Sequence, residues 1–184
     1  LRSFLEKARV ATQVHLSHLA LTDRDDLLAR QILPFLDQAE GVIEARMRQE
    51  IADHPVWTEW ASHIRGCGLM SLSAIMSRCD INRLHTPSAM WAHLGFAPGQ
   101  RRIKGEKLTF DFTGKVWSWR LADVFIKQGD KMKAIYDDRK VYEITRVTEA
   151  GGRVVAAAKG KTVEPPNRTA LEVHRRAMRY MIKV

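Results

Sequence analysis

Ile64-Arg65-Gly66-Cys67-Gly68-Leu69-Met70-Ser71 places two glycines around one apolar residue, with apolar helical patterns from Val56 to Ile64 before it and from Leu69 to about Arg78 after it. Glycine reaches backbone angles that a Cβ forbids, so the spacing predicts a tight reversal at Gly66 and Gly68. The helix opening near Leu69 would then present its first amide groups unpaired. A helix start of that kind binds a phosphate without any specialised side chain. Arg65, Gly66, Cys67, Gly68, Leu69 and Ser71 are therefore candidate contacts to an anion, in the manner of a helix-hairpin-helix. The same residues also read as a plain turn between two helices.

Upstream, Asp53-His54-Pro55 breaks a long pattern. Leu5, Ala8, Leu16 and Leu19 mark a first helix over Leu1 to Leu21, and Ile32, Phe35, Leu36, Ala39, Val42, Ile43, Met47 and Ile51 mark a second from about Asp25 to Ala52. Thr22 to Asp26 reads as the turn between them, its acids placed where a helix dipole favours them. Pro34 should kink the second helix. Two amphipathic helices in succession predict an antiparallel hairpin: a helical arm over residues 1–52, coiled-coil-like, able to mediate homo-oligomer formation.

Downstream, Thr86-Pro87-Ser88 opens a short helix that Gly95 ends. Arg101, Arg102, Lys104 and Lys107 crowd a loop between Gly99 and Gly105. Leu108 to Phe112 alternates and reads as a short strand or an extended strap. Amphipathic helices follow over Val116 to Lys127 and Lys131 to Val147, then an exposed mobile loop over residues 148–168, then a basic helix from Leu171 to Val184. The fold class expected is mainly α, with one short strand pair at most. The compact helix-hairpin-helix domain spans residues 53–184.

The last helix carries Arg175, Arg176 and Arg179, the first and third sharing a face, while Leu171, Met178 and Ile182 can face a core. The loop cations and these three arginines suit a polyanion, because each displaces condensed counterions from a phosphate backbone. Both groups also read as solvated surface. Trp117 and Trp119 could stack on bases, although tryptophans on an amphipathic helix more often pack inward. Catalytic constellations are weak. Asp23, Asp25 and Asp26 suit a helix start better than a metal site, and the scattered histidines lack metal-ligand spacing. Cys67 and Cys79, the only cysteines, read as reduced thiols with no neighbouring base.

The order of these parts resembles the C-terminal half of insertion-sequence transposases that carry a RuvC-like N-terminal nuclease domain, the family whose better-known members are guided by a bridge RNA. The resemblance runs through the Gly66-Cys67-Gly68 hairpin and the segment Arg83-Leu84-His85-Thr86-Pro87-Ser88-Ala89-Met90-Trp91-Ala92-His93-Leu94-Gly95-Phe96-Ala97-Pro98. It continues in the closing stretches Tyr136 to Lys140 and Ala177 to Lys183. It implies DNA handling, with a guide RNA as a second partner, and magnesium only in the nuclease domain, which has no counterpart in this sequence. The family's serine in the loop after the proline is also absent from Gly99 to Gly105, and Thr109 and Thr113 are misplaced for that role. No catalytic residue and no cofactor is carried over.

The chain has 184 residues and a formal net charge of +9, which favours an anionic partner. No apolar run approaches the roughly 20 residues of a membrane-spanning helix, and no signal peptide is visible, so a cytoplasmic protein with no membrane partner is expected. The start at Leu1 and the stop at Val184 suggest a piece of a longer protein. Three readings stand: a DNA-backbone-binding part of a transposase-like recombinase, a catalytic recombinase separated from its metal-binding half, and a basic helical oligomerisation module.

Overall fold

A computed structural model describes residues 1–21, 27–156 and 163–184. The protein is mainly helical, with one two-stranded parallel pairing. It divides into two compact units, Leu1–Trp57 and Thr58–Val184. Thr22 to Asp26, including the three early aspartates, lie outside the described residues.

The first unit is a helical hairpin of α1 (Arg2–Leu21) and α2 (Leu27–Ala52). Arg2 donates to Glu44 at 2.8 Å and Arg9 to Glu40 at 2.9 Å, so partner numbers fall as α1 advances and the two helices run antiparallel. Leu5, Leu16 and Leu19 of α1 and Leu33, Leu36, Ile43 and Met47 of α2 are half-buried, and Ile51 is buried. Glu40 is also buried, where the arginines of α1 reach it. Pro34 sits inside α2 without ending it.

After α2, Val56–Trp60 forms a π-helical turn and Ala61–His63 a 3₁₀ turn, not the α-helix expected over Val56 to Ile64. Pro55 supplies no amide to start a regular ladder. The chain starts instead on two bonds to His54: Trp57 N–H to its carbonyl at 2.8 Å and Val56 N–H to its Nδ1 at 3.2 Å. After the glycine turn come α3 (Leu69–Met76), α4 (Pro87–His93), α5 (Phe112–Gln128), α6 (Lys131–Glu149) and α7 (Ala170–Lys183). Thr86 caps α4 by accepting from Ala89 N–H, with Pro87 in its first turn. Asp111 caps α5 by accepting from Thr113 N–H at 2.9 Å. Gly129, at φ +73°, turns the chain directly into α6. Thr169 and Glu172 form a reciprocal capping box on α7.

α5 is the central helix, touching α3, α6 and α7. Leu72, Leu94, Phe96, Phe110, Ala122, Phe125, Tyr136, Val147, Val173, Ala177, Met178 and Met181 form the core. Gly95 takes φ +73°, and a Cβ there would lie 2.3 Å from the Phe110 ring. Between α6 and α7, the Arg139 guanidinium lies 4.5 Å from the Tyr142 ring centre and 4.6 Å from that of Tyr180.

Two expectations need correcting. Of the two forms expected of Leu108 to Phe112, a strand or an extended strap, the strand is not formed: Phe112 already belongs to α5, and Phe110 is the anchor that buries. The strand pair lies elsewhere, with β1 (Val154–Val155) parallel to β2 (Arg168–Thr169). The stretch 148–168 is not one loose loop. Thr148 and Glu149 finish α6, Gly152 N–H bonds Val147 O at 2.9 Å, and Asn167 Oδ1 accepts from Arg153 N–H at 2.9 Å. A Cβ on Gly152 would meet Pro166 O at 2.6 Å. Residues 157–162 of this stretch lie outside the described residues.

Candidate nucleic-acid interface

The glycine turn divides its two glycines by role. Gly66 has φ +91°, and a Cβ there would meet Gln128 Cγ at 2.9 Å and Val124 Cγ1 at 3.0 Å on α5. Gly66 is therefore required both by angle and by packing. Gly68 is not: it is extended at φ −87°, ψ 147°, a conformation open to any residue, with open space where a Cβ would lie. Of the two glycines at which the reversal is expected, Gly66 alone uses a left-handed angle. Cys67 points inward, 7% exposed, and its amide is engaged by Ile64 O at 3.0 Å. Burial pushes the thiol upward at both cysteines, with Asp111 adding to the effect at Cys79, so both stay protonated at neutral pH.

Arg65 and Gly68 are exposed, and Leu69 and Ser71 half-buried. The first backbone bond of α3 runs from Leu72 N–H to Gly68 O at 3.0 Å, and no side chain caps the helix. The amides of Leu69, Met70 and Ser71 have no acceptor among the described residues.

In the loop after α4, Arg101, Arg102, Lys104 and Lys107 are all exposed. Gly99 (φ +83°) and Gly105 (φ +88°) supply its left-handed turns, with open space at each. Arg102 lies 5.8 Å from the centre of the Phe112 ring. None of the four cations has a carboxylate partner among the described residues.

The three arginines of α7 have different surroundings. Arg176 lies 3.5 Å from Glu143, a buried carboxylate that Arg139 also holds at 2.6 Å, so its charge is partly engaged. Arg175 and Arg179 instead line an open groove of about 440 Å³ with Trp119, Leu171, His174 and Met178. Neither has a carboxylate partner among the described residues. Burial, then Arg175 and Arg176, push the Arg179 guanidinium below its ordinary value. Leu171, expected to face the core, is 44% exposed; Val173, Ala177, Met178 and Met181 supply the buried face of α7.

Lys115 joins this group from α5. Its ammonium donates to Gly95 O at 2.6 Å and stands 4.7 Å from the Phe110 ring centre. Burial and the nearby Arg179 both lower its pKa. Trp119 packs edge-on to Phe96 with ring centres 5.8 Å apart. His174 Nδ1 lies 2.8 Å from the Tyr136 hydroxyl, and burial, Lys140 and Arg175 lower its pKa. The sequence offers Trp119 as a base-stacking residue or a core residue, and gives no sign of Lys115. The α7 arginines lie far along the chain, and only the α5–α7 packing brings Trp119 into one groove with Arg175 and Arg179.

Among the described residues no three metal-ligating side chains come together. No helix among the described residues is long and apolar enough to cross a membrane. No protein-family model matches the chain, and no curated protein or solved structure matches it either.

Proposed function

We propose that this chain binds nucleic acid through the sugar–phosphate backbone, as the DNA-handling part of a transposase-like recombinase acting in the cytoplasm. The observation that carries the reading is the cluster of Lys115, Arg175 and Arg179. Burial first, and neighbouring like charges second, lower the pKa of both Lys115 and Arg179, and no carboxylate answers any of the three among the described residues. Such an arrangement costs free energy in the isolated protein, and a bound anion offsets it. The exposed cations at 101, 102, 104 and 107 extend the basic surface, and the open amides at Leu69 to Ser71 offer a phosphate neutral donors.

Backbone contacts position a protein without reading sequence. Weak sequence preference and strong salt sensitivity follow. Duplex DNA is the first partner, and a structured guide RNA the second. Magnesium would belong to a separate nuclease domain, which the resemblance implies. The direct test is fluorescence anisotropy of labelled duplex DNA against the full chain at low and moderate salt. Saturable binding that weakens steeply with salt supports the reading.

A second reading has its own support. On the first unit Leu1 is 88% exposed, Phe4 71%, Phe35 71% and Val42 65%. Apolar side chains in that number on a two-helix hairpin favour burial against another helical surface. Self-association through α1 and α2 is the form we propose. Light scattering with and without DNA tests it, and a tight oligomer with no DNA binding even at low salt would favour oligomerisation as the main role.

A further inference from the structure

We propose that the groove between α5 and α7 seats one unpaired nucleotide of a single strand, its base against Trp119 and its phosphate between Arg175 and Arg179. This rests on the nucleic-acid reading and narrows it to a strand type. Three features of the groove favour an unpaired unit over a duplex. First, its cations come with an aromatic platform. The exposed loop cations need only a phosphate ridge, whereas Trp119 lines the groove, where a base stacked inside a duplex cannot reach it. Second, the size fits: about 440 Å³ lies in the range of small-ligand clefts, and the groove is open enough for a strand to enter and leave. Third, the walls are fixed. Trp119 is held edge-on by Phe96, itself 1% exposed, and the His174 ring is oriented by the Tyr136 hydroxyl. Met178 and Leu171 complete an apolar lining that a stacked base would cover.

The cations place the phosphate of the bound unit. Arg175 and Arg179 are one helical turn apart on α7, so their guanidiniums can hold two oxygens of one phosphate or two successive phosphates. Lys115, engaged with Gly95 O, adds positive potential from the α5 side.

The test uses the full chain and three labelled probes of one mixed sequence, about 12 nucleotides long: single-stranded DNA, single-stranded RNA and duplex DNA. Anisotropy is read at roughly 0.1 M KCl. Base–aromatic stacking of about 1–3 kcal/mol corresponds to about a 5- to 150-fold change in affinity. Trp119→Leu should weaken single-strand binding within that range and change duplex binding by less than about twofold. The two single-stranded arms identify whether the strand is deoxy or ribo. Equal losses on single strand and duplex, or no loss on either with wild-type binding intact, would overturn the groove proposal and leave backbone binding standing. No wild-type binding to any probe would overturn both. Because Trp119 touches the core through Phe96, a second measurement does not depend on the variant folding. A 5-iodouracil strand photocrosslinked to the wild-type chain should mark Trp119 or the α7 face. Crosslinks confined to residues 101–107 would overturn the proposal.

Discussion

Replacing Gly95 by alanine should unfold the second unit more readily than any other single glycine change at a comparable angle. The reason is the position of one added carbon. A Cβ on Gly95 would lie 2.3 Å from Phe110 Cδ2 and 2.7 Å from Cε2 and Cγ. Phe110 cannot easily retreat, being 9% exposed with the Lys115 ammonium over its ring. Overpacking of this kind costs about 1–3 kcal/mol. Holding alanine at a left-handed φ adds about 1–2 kcal/mol. The sum is about 2–5 kcal/mol, and at about 3–6 °C per kcal/mol the melting temperature falls by about 6–30 °C. Two other glycines calibrate the estimate. Gly99 has φ +83° but open space, so Gly99→Ala should cost only the angle, about 1–2 kcal/mol. Gly68 has φ −87° and open space, so Gly68→Ala should be neutral or stabilise by about 0.4–1 kcal/mol. Urea unfolding of the three variants, followed by circular dichroism, gives the order directly. Gly95→Ala no worse than Gly99→Ala would refute the packing of Gly95 on Phe110.

Three further outcomes follow from the geometry. Thr169→Ala removes the acceptor for Glu172 N–H at 3.1 Å and should cost about 1 kcal/mol, read as a lower urea midpoint with unchanged slope; an unmoved midpoint would contradict the capping box. His174 has a folded pKa below its ordinary 6.5, so below that pH the unfolded chain binds more protons and stability falls as pH drops through the folded value. The melting temperature between pH 7.5 and 5 should therefore decline less in His174→Gln than in wild type, and identical declines would contradict the burial of His174 beside Lys140 and Arg175. Cys67 should react with a thiol reagent only on unfolding, while half-buried Cys79 reacts slowly in the native state; two thiols reacting at the rate of free cysteine would contradict the inward turn.

Much of the fold was legible because its signals are local. Thr86 with Pro87 announced α4, and Gly95 announced its end. The apolar stripes of α1 and α2 predicted the hairpin that Arg2–Glu44 and Arg9–Glu40 confirm. The failures came where one local pattern fits two structures. Leu108 to Phe112 alternates as a strand would, yet Asp111 is an N-cap and Phe112 begins a helix. The spacing predicts the reversal at Gly66 and Gly68 alike, yet the left-handed angle belongs to Gly66, whose constraint comes from Val124 and Gln128 on α5. The basic positions on α7 were visible as residues but not as neighbours. Sequence grouped Arg175, Arg176 and Arg179 together, whereas the buried Glu143 of α6 separates Arg176 from the other two. Lys115 carries no sequence signal, and the sequence leaves Trp119 between stacking and core, because the place of both depends on long-range packing.

The central claim is that the clustered cations of the second unit meet phosphates, and the salt dependence of duplex-DNA affinity tests it most directly. Each phosphate neutralised adds about −0.9 to the slope of log K against log salt. Replacing Arg101, Arg102, Lys104 and Lys107 together by alanine should flatten the wild-type slope by about 2–4, and Arg175→Ala with Arg179→Ala by about 1–2. No saturable binding by the wild-type chain at about 50 mM salt, or slopes that neither set of substitutions changes, would contradict the account.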